Sequence, residues 1–229
     1  MSSDETVNPA ARTVTVWSDL GCPWATLALH TLRTVATERA ETVLIDHRVF
    51  PLELFNEMPT PKHILDAEIV TIAGHRPEVG WRLWAAAEST YPVTMLPAME
   101  AVQAAKSAEV GGLVASDELD AALRKAFYTD QRCVSIPSVI LDVAKECPSV
   151  NSEALAEAIA RGAGRAEVYR DWRIAQGPSV QGSPHLFAAN GYAEHNPGVV
   201  YHWTNRPPLG FPRLDDYDPA WAHKLIDSL

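Results

Sequence analysis

The sequence predicts an α/β fold whose chain is interrupted by a large all-helical segment. Two β-type runs near the N-terminus flank a single helix, which is the pattern of a strand–helix–strand unit. Between about residues 63 and 176, strand signals nearly vanish and alanine-rich helical segments replace them. A strand pattern resumes directly after Pro184. We therefore expect a discontinuous α/β domain of residues 1–62 and 177–229 and a helical insertion domain of residues 63–176.

The first unit follows a predicted loose leader of residues 1–11. Residues 13–17 predict a strand, and a helix follows Pro23 and ends near Arg39. Its core-facing positions have mostly helical spacing: Leu27, Leu29, Leu32, Val35 and Ala36. Residues 42–50 predict the second strand, which Pro51 ends. A helix of this length between two strands requires a parallel crossover.

The insertion predicts six helices. They cover about residues 64–73, 77–89, 97–110, 116–127 and 138–146, with a long one from residue 152 past residue 172. Ser116 offers a capping hydroxyl at the start of the fourth. Gly162 and Gly164 are positions at which the sixth helix bends or breaks.

The last part of the chain returns to the sheet. A strand is predicted right after Pro184, and Asn190-Gly191 is a strong hairpin signal. Residues 194–211 are rich in Pro, Asn and aromatic residues and predict an irregular segment. Asp218-Pro219 begins a final helix.

The composition limits the function classes. The chain of 229 residues is 47% hydrophobic and 21% charged, which is ordinary for a globular protein with a core. A net charge of −10 argues against nucleic acid or an anionic membrane as a partner. The three cysteines are too sparse for a disulfide scaffold, and no spacing resembles a metal site. Without a signal-peptide pattern or a transmembrane-length apolar run, we expect a cytoplasmic protein.

Cys22 is the strongest candidate for chemistry. It opens the first predicted helix, and Pro23 occupies the first helical position, where a missing N–H is no loss. A thiol at a helix start faces unpaired N–H groups and the positive end of the helix dipole, so we expect its pKa to be lowered. The alternative is a buried structural cysteine.

The arrangement resembles the DsbA-like branch of the thioredoxin superfamily, in particular the subgroup related to FrnE and to 2-hydroxychromene-2-carboxylate isomerase. Three segments carry the resemblance. Residues 19–24 read Asp-Leu-Gly-Cys-Pro-Trp, residues 48–50 read Arg-Val-Phe, and residues 182–184 read Gly-Ser-Pro. The sequence Leu-Arg-Lys-Ala-Phe at 123–127 and the stretch at 131–141 add weaker support. The resemblance implies a thioredoxin-like domain with a large all-helical insertion.

The same resemblance assigns roles near Cys22. It implies a cis peptide bond before Pro184, beside the cysteine, whereas an ordinary trans proline at a strand start is the alternative. Ser183 would offer backbone groups to an extended thiol substrate, and its side chain would tune the cysteine. Trp24 would border the substrate groove, although it could also simply pack.

The chain departs from the dithiol members of this superfamily at Ala25, where they carry a second cysteine. That second thiol resolves the mixed disulfide that the first one forms, and alanine cannot do this. Three functions stay open. Cys22 could act as a monothiol oxidoreductase with glutathione or mycothiol as co-substrate. The site could serve a thiol-dependent isomerase or a kappa-class transferase, in whose relatives a serine usually occupies the place of Cys22. The protein could also be a non-catalytic binding or chaperone-like module.

Other residues are weaker candidates. Cys133 or Cys147 could supply a remote resolving thiol, but both are more typical of unreactive thiols, and a helix end disfavours a Cys147 thiolate. His195 and His202 are better explained as loop packing or pocket lining than as metal ligands. Asp19 could tune the cysteine or cap a turn. Four apolar residues could form a wall facing the site or belong to the core: Trp81, Trp84, Met95 and Met99.

The sequence therefore predicts an enzyme, a monothiol DsbA/FrnE-like thiol–disulfide oxidoreductase. Cys22 is the expected nucleophile, and Pro23, Trp24, Ser183 and Pro184 are the expected thiol-binding residues. We expect no metal and no tightly bound cofactor, only the small thiol as co-substrate. The expected partners are a small-molecule thiol or a protein thiol or disulfide. By analogy with cytoplasmic relatives, a homodimer is expected.

Overall fold

Six strands and nine α-helices occur in the part of the chain that the computed structural model describes, residues 9–207 and 209–229. In chain order they are β1 (Thr13–Ser18), α1 (Pro23–Glu38), β2 (Leu44–Val49), α2 (Leu52–Phe55), α3 (Lys62–His75), α4 (Leu96–Ala104), α5 (Gly112–Tyr128), α6 (Pro137–Ala144), α7 (Ser152–Ala160), α8 (Arg165–Ala175), β3 (His185–Ala188), β4 (Ala193–His195), β5 (Val199–Trp203), β6 (Pro212–Tyr217) and α9 (Ala220–Asp227). Residues 1–8 of the predicted leader lie outside the described residues.

The central sheet has the strand order β2-β1-β3-β4. β1 pairs in parallel with β2, and α1 makes the predicted crossover between them. β3 runs antiparallel to β1 and continues through the Asn190-Gly191 turn into β4. The segments before and after the helical insertion therefore meet in one sheet. All six residues of the central strand β1 are buried.

One face of the sheet is covered by helices from both ends of the chain. Apolar residues of α1 and α9 pack with β1 and β3, and Leu32, Leu186 and Leu225 are 1% exposed or less. A second and larger core is formed mainly by α4–α8, and Leu119, Leu123 and Leu155 lie fully buried in it. An α/β fold with an all-helical segment between β2 and β3 is confirmed. The exact division into domains at residues 62 and 177 stays a prediction.

The segment at residues 77–89 is not a helix, contrary to the prediction. It contains two short 3₁₀ turns, Pro77–Val79 and Glu88–Thr90, and Gly80 interrupts it with a φ of +69°. Its two tryptophans contact different aromatic residues: Trp81 contacts Tyr128, and Trp84 contacts Tyr91 and Phe127. Alanine content alone does not hold a helix in place, because most helical stability comes from packing an amphipathic face.

One further helix begins elsewhere than predicted, and the sixth predicted helix breaks at the two glycines that the sequence named. α5 begins at Gly112, four residues before Ser116, so Ser116 caps nothing and its buried hydroxyl instead donates to the Val102 carbonyl. The predicted long helix is two helices, α7 and α8, separated at Gly162 and Gly164, whose φ angles are +74° and +85°. A side chain at Gly164 would collide with the Glu100 carbonyl oxygen. The close approach of α4 therefore requires glycine here.

The segment at 194–211 is more regular than predicted. It contains the end of β4 and all of β5, and β5 pairs with the unpredicted strand β6 in a separate antiparallel two-stranded sheet. The buried Thr71 hydroxyl donates to the Pro212 carbonyl and ties this sheet to α3. The polar sequence of β6 conceals the strand, because only Pro212 and Leu214 of its residues are buried.

Candidate functional site

The loop between β1 and α1 presents Cys22 at the start of α1. Cys22 is the N-cap residue, with extended backbone angles, and Pro23 is the first helical residue, as the sequence predicts. The Cys22 N–H donates to the Asp19 carbonyl at 3.2 Å, and the Cys22 carbonyl accepts the first helical bond from Thr26 at 3.0 Å. The turn therefore holds the cysteine rigidly at the helix N-terminus.

The Ser183–Pro184 segment faces this cysteine. The Ser183–Pro184 peptide bond is cis, so this prediction is confirmed. The Cys22 thiol donates to the Ser183 carbonyl, with Sγ and oxygen 3.2 Å apart. The backbone N–H of Asp19 donates to the Ser183 hydroxyl at 2.8 Å. Residues 161 and 164 positions apart along the chain are thus joined because β1 and β3 are neighbours in the sheet.

Asp19 connects the loop to a third segment. Its carboxylate accepts from the backbone N–H of Gly21 at 2.7 Å and from that of Leu52, just after β2, at 2.8 Å. Burial raises the pKa of Asp19 to about 6, although both hydrogen bonds act in the opposite direction. The turn-capping role considered for Asp19 is present in the structure.

The environment of the Cys22 thiol contradicts the predicted direction of its pKa. The residue is 4% exposed, and burial followed by the nearby charge of Glu68 raises the thiol pKa to about 12. Hydrogen bonds from the Ser183 side chain and the Ala25 backbone at the helix start lower the pKa, but they do not compensate. The helix start does supply local donors to the thiol. Desolvation and the acid from another helix depend on tertiary packing, so they could not be predicted from the residues around Cys22.

Trp24 is held by residues from two other elements. Its indole Nε1–H donates to Glu68 Oε1 of α3 at 3.0 Å, and its ring stacks on Tyr201 of β5 with centroids 4.3 Å apart. Burial raises the pKa of the partly buried Glu68 to about 7, against the effect of the Trp24 hydrogen bond. Sequence reasoning missed Glu68 and Tyr201. A single glutamate on a helix that also buries Leu65, Ile69 and Ile72 carries no local signal of such a role.

Arg124 of α5 anchors the active-site loop from the helical segment. Its Nη1 donates to the carbonyls of Asp19 and Leu20 at 3.2 and 3.3 Å and to the Thr26 hydroxyl at 2.8 Å. Its Nη2 donates to the Ser18 hydroxyl at 3.0 Å. Arg124 was noticed in the sequence only as part of the Leu-Arg-Lys-Ala-Phe segment. Its position shows that α5 braces both ends of the loop that carries Cys22.

The four candidate wall residues divide into two groups. Met95 lies against the active-site loop, since a Cβ at Gly21 would be only 3.0 Å from its Cγ. Trp81 packs against the buried cluster that contains Cys22, Trp24 and Leu27. Met99 is buried in the core of the helical segment, and the partly buried Trp84 packs against that core. Both interpretations left open by the sequence are therefore represented.

The other cysteines lie in the helical segment, in the α5–α6 loop and just after α6. Cys147 is buried, its thiol donates to the Val143 carbonyl, and burial followed by Glu118 and Glu146 raises its pKa to about 11. All three cysteines are free thiols. His195 lies beside Gly182 in the loop before Pro184, whereas His202 pairs with Asp215 on the surface.

One cluster in the described residues has the donor set of a metal site, His47, Asp117 and Asp120. Two guanidinium groups already occupy it. Arg33 lies 2.6 Å from Asp117 and 2.7 Å from Asp120, and Arg124 lies 2.9 Å from Asp120. A cation would have to displace these arginines, so the cluster is better described as a buried ion-pair network.

Comparison with solved structures identifies the architecture. The cytosolic disulfide reductase DsbM from Pseudomonas aeruginosa superposes with a TM-score of 0.55 over 94% of this chain and 97% of its own, at 15% identity. A protein described as a probable DsbA oxidoreductase from Streptomyces coelicolor gives a TM-score of 0.59 over 80% and 82%, at 18% identity. The chain has the DsbA-like thioredoxin fold. The 2-hydroxychromene-2-carboxylate isomerase is also similar, with a TM-score of 0.53 over 76% and 84% of the two chains at 14% identity.

No family model and no curated protein sequence matches the chain. At these identities the solved structures establish the DsbA-like fold and leave the reaction to be argued from the site. No helix in the described ranges is long and apolar enough to cross a membrane.

Proposed function

We propose that this protein is a monothiol thiol–disulfide oxidoreductase in which Cys22 is the nucleophile. The observation that carries the proposal is the placement of Cys22. Its Sγ lies 3.2 Å from the carbonyl of Ser183, next to the cis bond before Pro184, at the start of a helix whose next turn offers Ala25. The site therefore offers a thiol and, beside it, backbone groups that can pair with an extended thiol substrate. It has no resolving thiol one turn away, because residue 25 is alanine.

The reaction has two exchange steps. The Cys22 thiol loses its proton to a solvent base, its sulfur forms a bond to one sulfur of a disulfide RS–SR, and the other sulfur leaves as a thiolate that takes up a proton. A different small thiol, R′SH, then loses its proton and attacks the substrate sulfur of the mixed disulfide. This forms the disulfide R′S–SR and releases Cys22 as a thiolate that takes up a proton. Because Ala25 has no sulfur, the second step is intermolecular and its rate depends on the concentration of the small thiol.

Because Cys22 is buried, the first exchange step requires that the side chains covering the thiol move apart. Trp24, stacked on Tyr201 and bonded to Glu68, is 3% exposed and belongs to the same buried cluster as the cysteine. A substrate that enters separates the side chains of this cluster and lets water reach the Cys22 thiol. Hydration removes burial, the largest cause of the raised pKa, and leaves the helix-start donors to act on the thiolate.

Glutathione or mycothiol is the proposed co-substrate, and a protein thiol or disulfide is the alternative partner. Support for a small thiol comes from the DsbM structure solved with glutathione, which superposes with a TM-score of 0.50. No tightly bound cofactor is needed for this chemistry. A cytoplasmic location and a homodimer stay predictions, as does the non-catalytic binding role as an alternative.

A thiol-dependent isomerase or transferase is the second candidate, and one observation favours it. The Cys22 thiol donates a hydrogen bond to the Ser183 carbonyl, which is the capacity that a serine hydroxyl offers at the same place. In such a reaction Cys22 would donate to the thiolate of a bound small thiol and would not form a covalent bond.

Replacing Cys22 separates the two candidates. In the redox mechanism, the wild-type protein forms a one-to-one mixed disulfide with oxidised glutathione or bis(2-hydroxyethyl) disulfide, and an excess of thiol removes it. Cys22→Ala and Cys22→Ser both abolish this adduct, because neither has a sulfur. Intact-mass measurement with peptide mapping provides the readout and distinguishes Cys133 and Cys147. Absence of a Cys22 adduct with both disulfides would reject the redox proposal.

In the isomerase or transferase mechanism, the two variants behave differently. Cys22→Ser keeps a donor and still binds reduced glutathione as a thiolate, detected by its ultraviolet absorbance, whereas Cys22→Ala loses this binding. Equal behaviour of the two variants in thiolate binding would reject this second candidate.

Ala25→Cys is expected to restore a dithiol site. Ala25 is fully buried one helical turn from Cys22, so a thiol there can attack a mixed disulfide within the molecule. Insulin reduction should rise by about tenfold or more, because resolution no longer waits for a second thiol. Ala28→Cys is the matched control, since it adds a buried thiol to the same helix without the required spacing. No gain over this control would show that the rest of the site has diverged from dithiol chemistry.

A further inference from the structure

The acidic groups around Cys22 differ in how completely they are satisfied. Asp19 accepts two backbone N–H groups. Glu53 of α2 accepts three hydrogen bonds at Oε1, from the hydroxyl of Thr94 and from the N–H groups of Met95 and Leu96 at the start of α4. These two carboxylates thus accept backbone N–H groups and hold loops and helix ends together.

Glu68 is different. Its Oε1 accepts one hydrogen bond, from the Trp24 indole, and its Oε2 has no hydrogen-bond partner in the described part of the chain. No described lysine, arginine or histidine lies within 4.0 Å of its carboxylate, although the structure pairs many of its acids in this way. A partly buried carboxylate without a cation is costly to keep ionised, and a positive ligand group would relieve that cost.

The negative charge of Glu68 acts on the Cys22 thiol, which is the reacting group. After burial, Glu68 is the largest cause of the raised pKa of Cys22. It also contributes, after burial, to a raised pKa of Tyr201, which stacks on Trp24. Arg124, the nearest buried cation of α5, is committed to Asp120 and to the loop carbonyls. The thiol therefore lies in a locally negative environment.

We propose that Glu68 makes the Cys22 site selective for disulfides and thiols that carry an ammonium group close to sulfur and disfavours those that carry a carboxylate there. This inference rests on the proposed exchange reaction and names its substrate class. An ammonium group placed between Glu68 and Cys22 pairs with the carboxylate and at the same time offsets the repulsion that opposes ionisation of the thiol. A carboxylate at the same place adds to that repulsion.

The exchange step itself is unchanged by this selectivity. With cystamine, the sulfur of Cys22 forms a bond to one substrate sulfur as the S–S bond breaks, and cysteamine leaves as a thiolate that is then protonated. The Cys22 proton goes to a solvent base. Glu68 neither accepts this proton nor touches the reacting sulfur in the proposal. It acts as a positioning and specificity-determining residue.

Three disulfides of similar size test the proposal: cystamine, which is cationic, bis(2-hydroxyethyl) disulfide, which is neutral, and dithiodiglycolate, which is anionic. The rate of mixed-disulfide formation at Cys22 is measured by intact mass at pH 8 and divided by the rate of a small model thiol, which removes intrinsic reactivity. We expect the normalised cystamine rate to exceed the dithiodiglycolate rate by about tenfold or more, as expected for a nearby unit charge in a partly desolvated site.

Glu68→Gln should reduce this ratio several-fold towards unity. Glutamine still accepts the Trp24 hydrogen bond but carries no charge, so the variant should also react at least as fast as wild type with the neutral disulfide. Glu157→Gln is the control, because it makes the same change on the exposed surface of α7 and should leave the ratio unchanged. Glu68→Ala provides a second variant if glutamine disturbs folding. The dependence of the wild-type rates on the charge of the disulfide tests the proposal without any variant.

The outcomes separate this proposal from the function it rests on. The role of Glu68 is overturned if Cys22 reacts with the neutral disulfide but the normalised rates do not depend on the charge of the disulfide. It is also overturned if Glu68→Gln leaves the ratio of the cystamine and dithiodiglycolate rates unchanged. In both cases the exchange reaction itself still stands. No Cys22 adduct with any of the three disulfides overturns both.

Discussion

Replacing Arg124 with methionine is expected to lower the free energy of unfolding by about 3–5 kcal/mol, the range seen when one partner of a buried ion pair is removed. Arg124 is 3% exposed and donates to Asp120 through Nε. Its other two nitrogens donate to two loop carbonyls and two hydroxyls between Ser18 and Thr26. Methionine fills a similar volume but leaves the loop carbonyls and hydroxyls without this donor, and Asp120 keeps only the guanidinium of Arg33.

The cost should depend on pH with a defined sign. Burial would raise the pKa of Asp120, but Arg124, His47 and Arg33 hold it well below its ordinary value of 3.8. A group whose pKa is lowered by folding stabilises the protein above its unfolded pKa and loses that contribution as the pH falls through the folded pKa. Arg124→Met weakens the lowering. The difference in stability between wild type and variant should therefore shrink as the pH is taken from neutral to below 3.8.

Urea unfolding at several pH values measures both effects. Arg165→Met is the control, because Arg165 pairs with Glu100 on the surface and its side chain is 64% exposed. Exposed pairs contribute about 0–1 kcal/mol. Arg124→Lys should fall between the two, since a lysine ammonium cannot reach acceptors on both sides of the loop. A loss below about 1 kcal/mol for Arg124→Met would contradict the bracing role assigned to this residue.

Asp171→Asn should destabilise the protein by a similar amount, about 3–5 kcal/mol. Asp171 of α8 is fully buried and accepts from Arg48 Nε and Nη2, at 3.1 and 2.7 Å, and from the backbone N–H of Val49 at 3.0 Å. An asparagine keeps one oxygen but turns its NH₂ group towards the guanidinium or the N–H. The charge of Arg48, whose guanidinium also lies over the Trp17 ring, then loses its partner.

This pair joins the helical segment to the edge strand β2, so its loss should be seen in the global unfolding transition. Thermal and urea unfolding of Asp171→Asn give the measurement. Asp142→Asn makes the same change in an exposed pair with Lys145 and should leave the free energy of unfolding nearly unchanged. Equal stabilities of the two variants would show that the buried pair is replaceable.

Much of the fold follows from local sequence patterns. The β1–α1–β2 unit, the start of β3 and the turn at Asn190-Gly191 each depend on neighbouring residues, and the structure contains all of them. The errors occur where local signals and packing disagree. Residues 77–89 have helix-forming composition but little to pack against along a continuous face, and β6 has a strand partner that its polar sequence does not reveal.

The candidate site also has features that local sequence predicts and features that depend on tertiary packing. Cys22 at a helix start, Pro23 after it and the cis bond before Pro184 could be predicted from the sequence and its resemblance to the DsbA-like branch, and the structure contains each feature. The pairing of Cys22 with the Ser183 carbonyl required the sheet to bring β1 and β3 together. Glu68 could not be found, because its contact with Trp24 spans 44 positions and depends on how α3 docks.

The sequence by itself determined that a thiol stands at the start of a helix and that Ala25 removes the usual resolving partner. Both facts belong to adjacent residues and to covalent chemistry. Only the tertiary structure decided the state of that thiol. Burial and the charge of Glu68 depend on which distant elements cover the helix start, and together they outweigh the local donors that favour the thiolate.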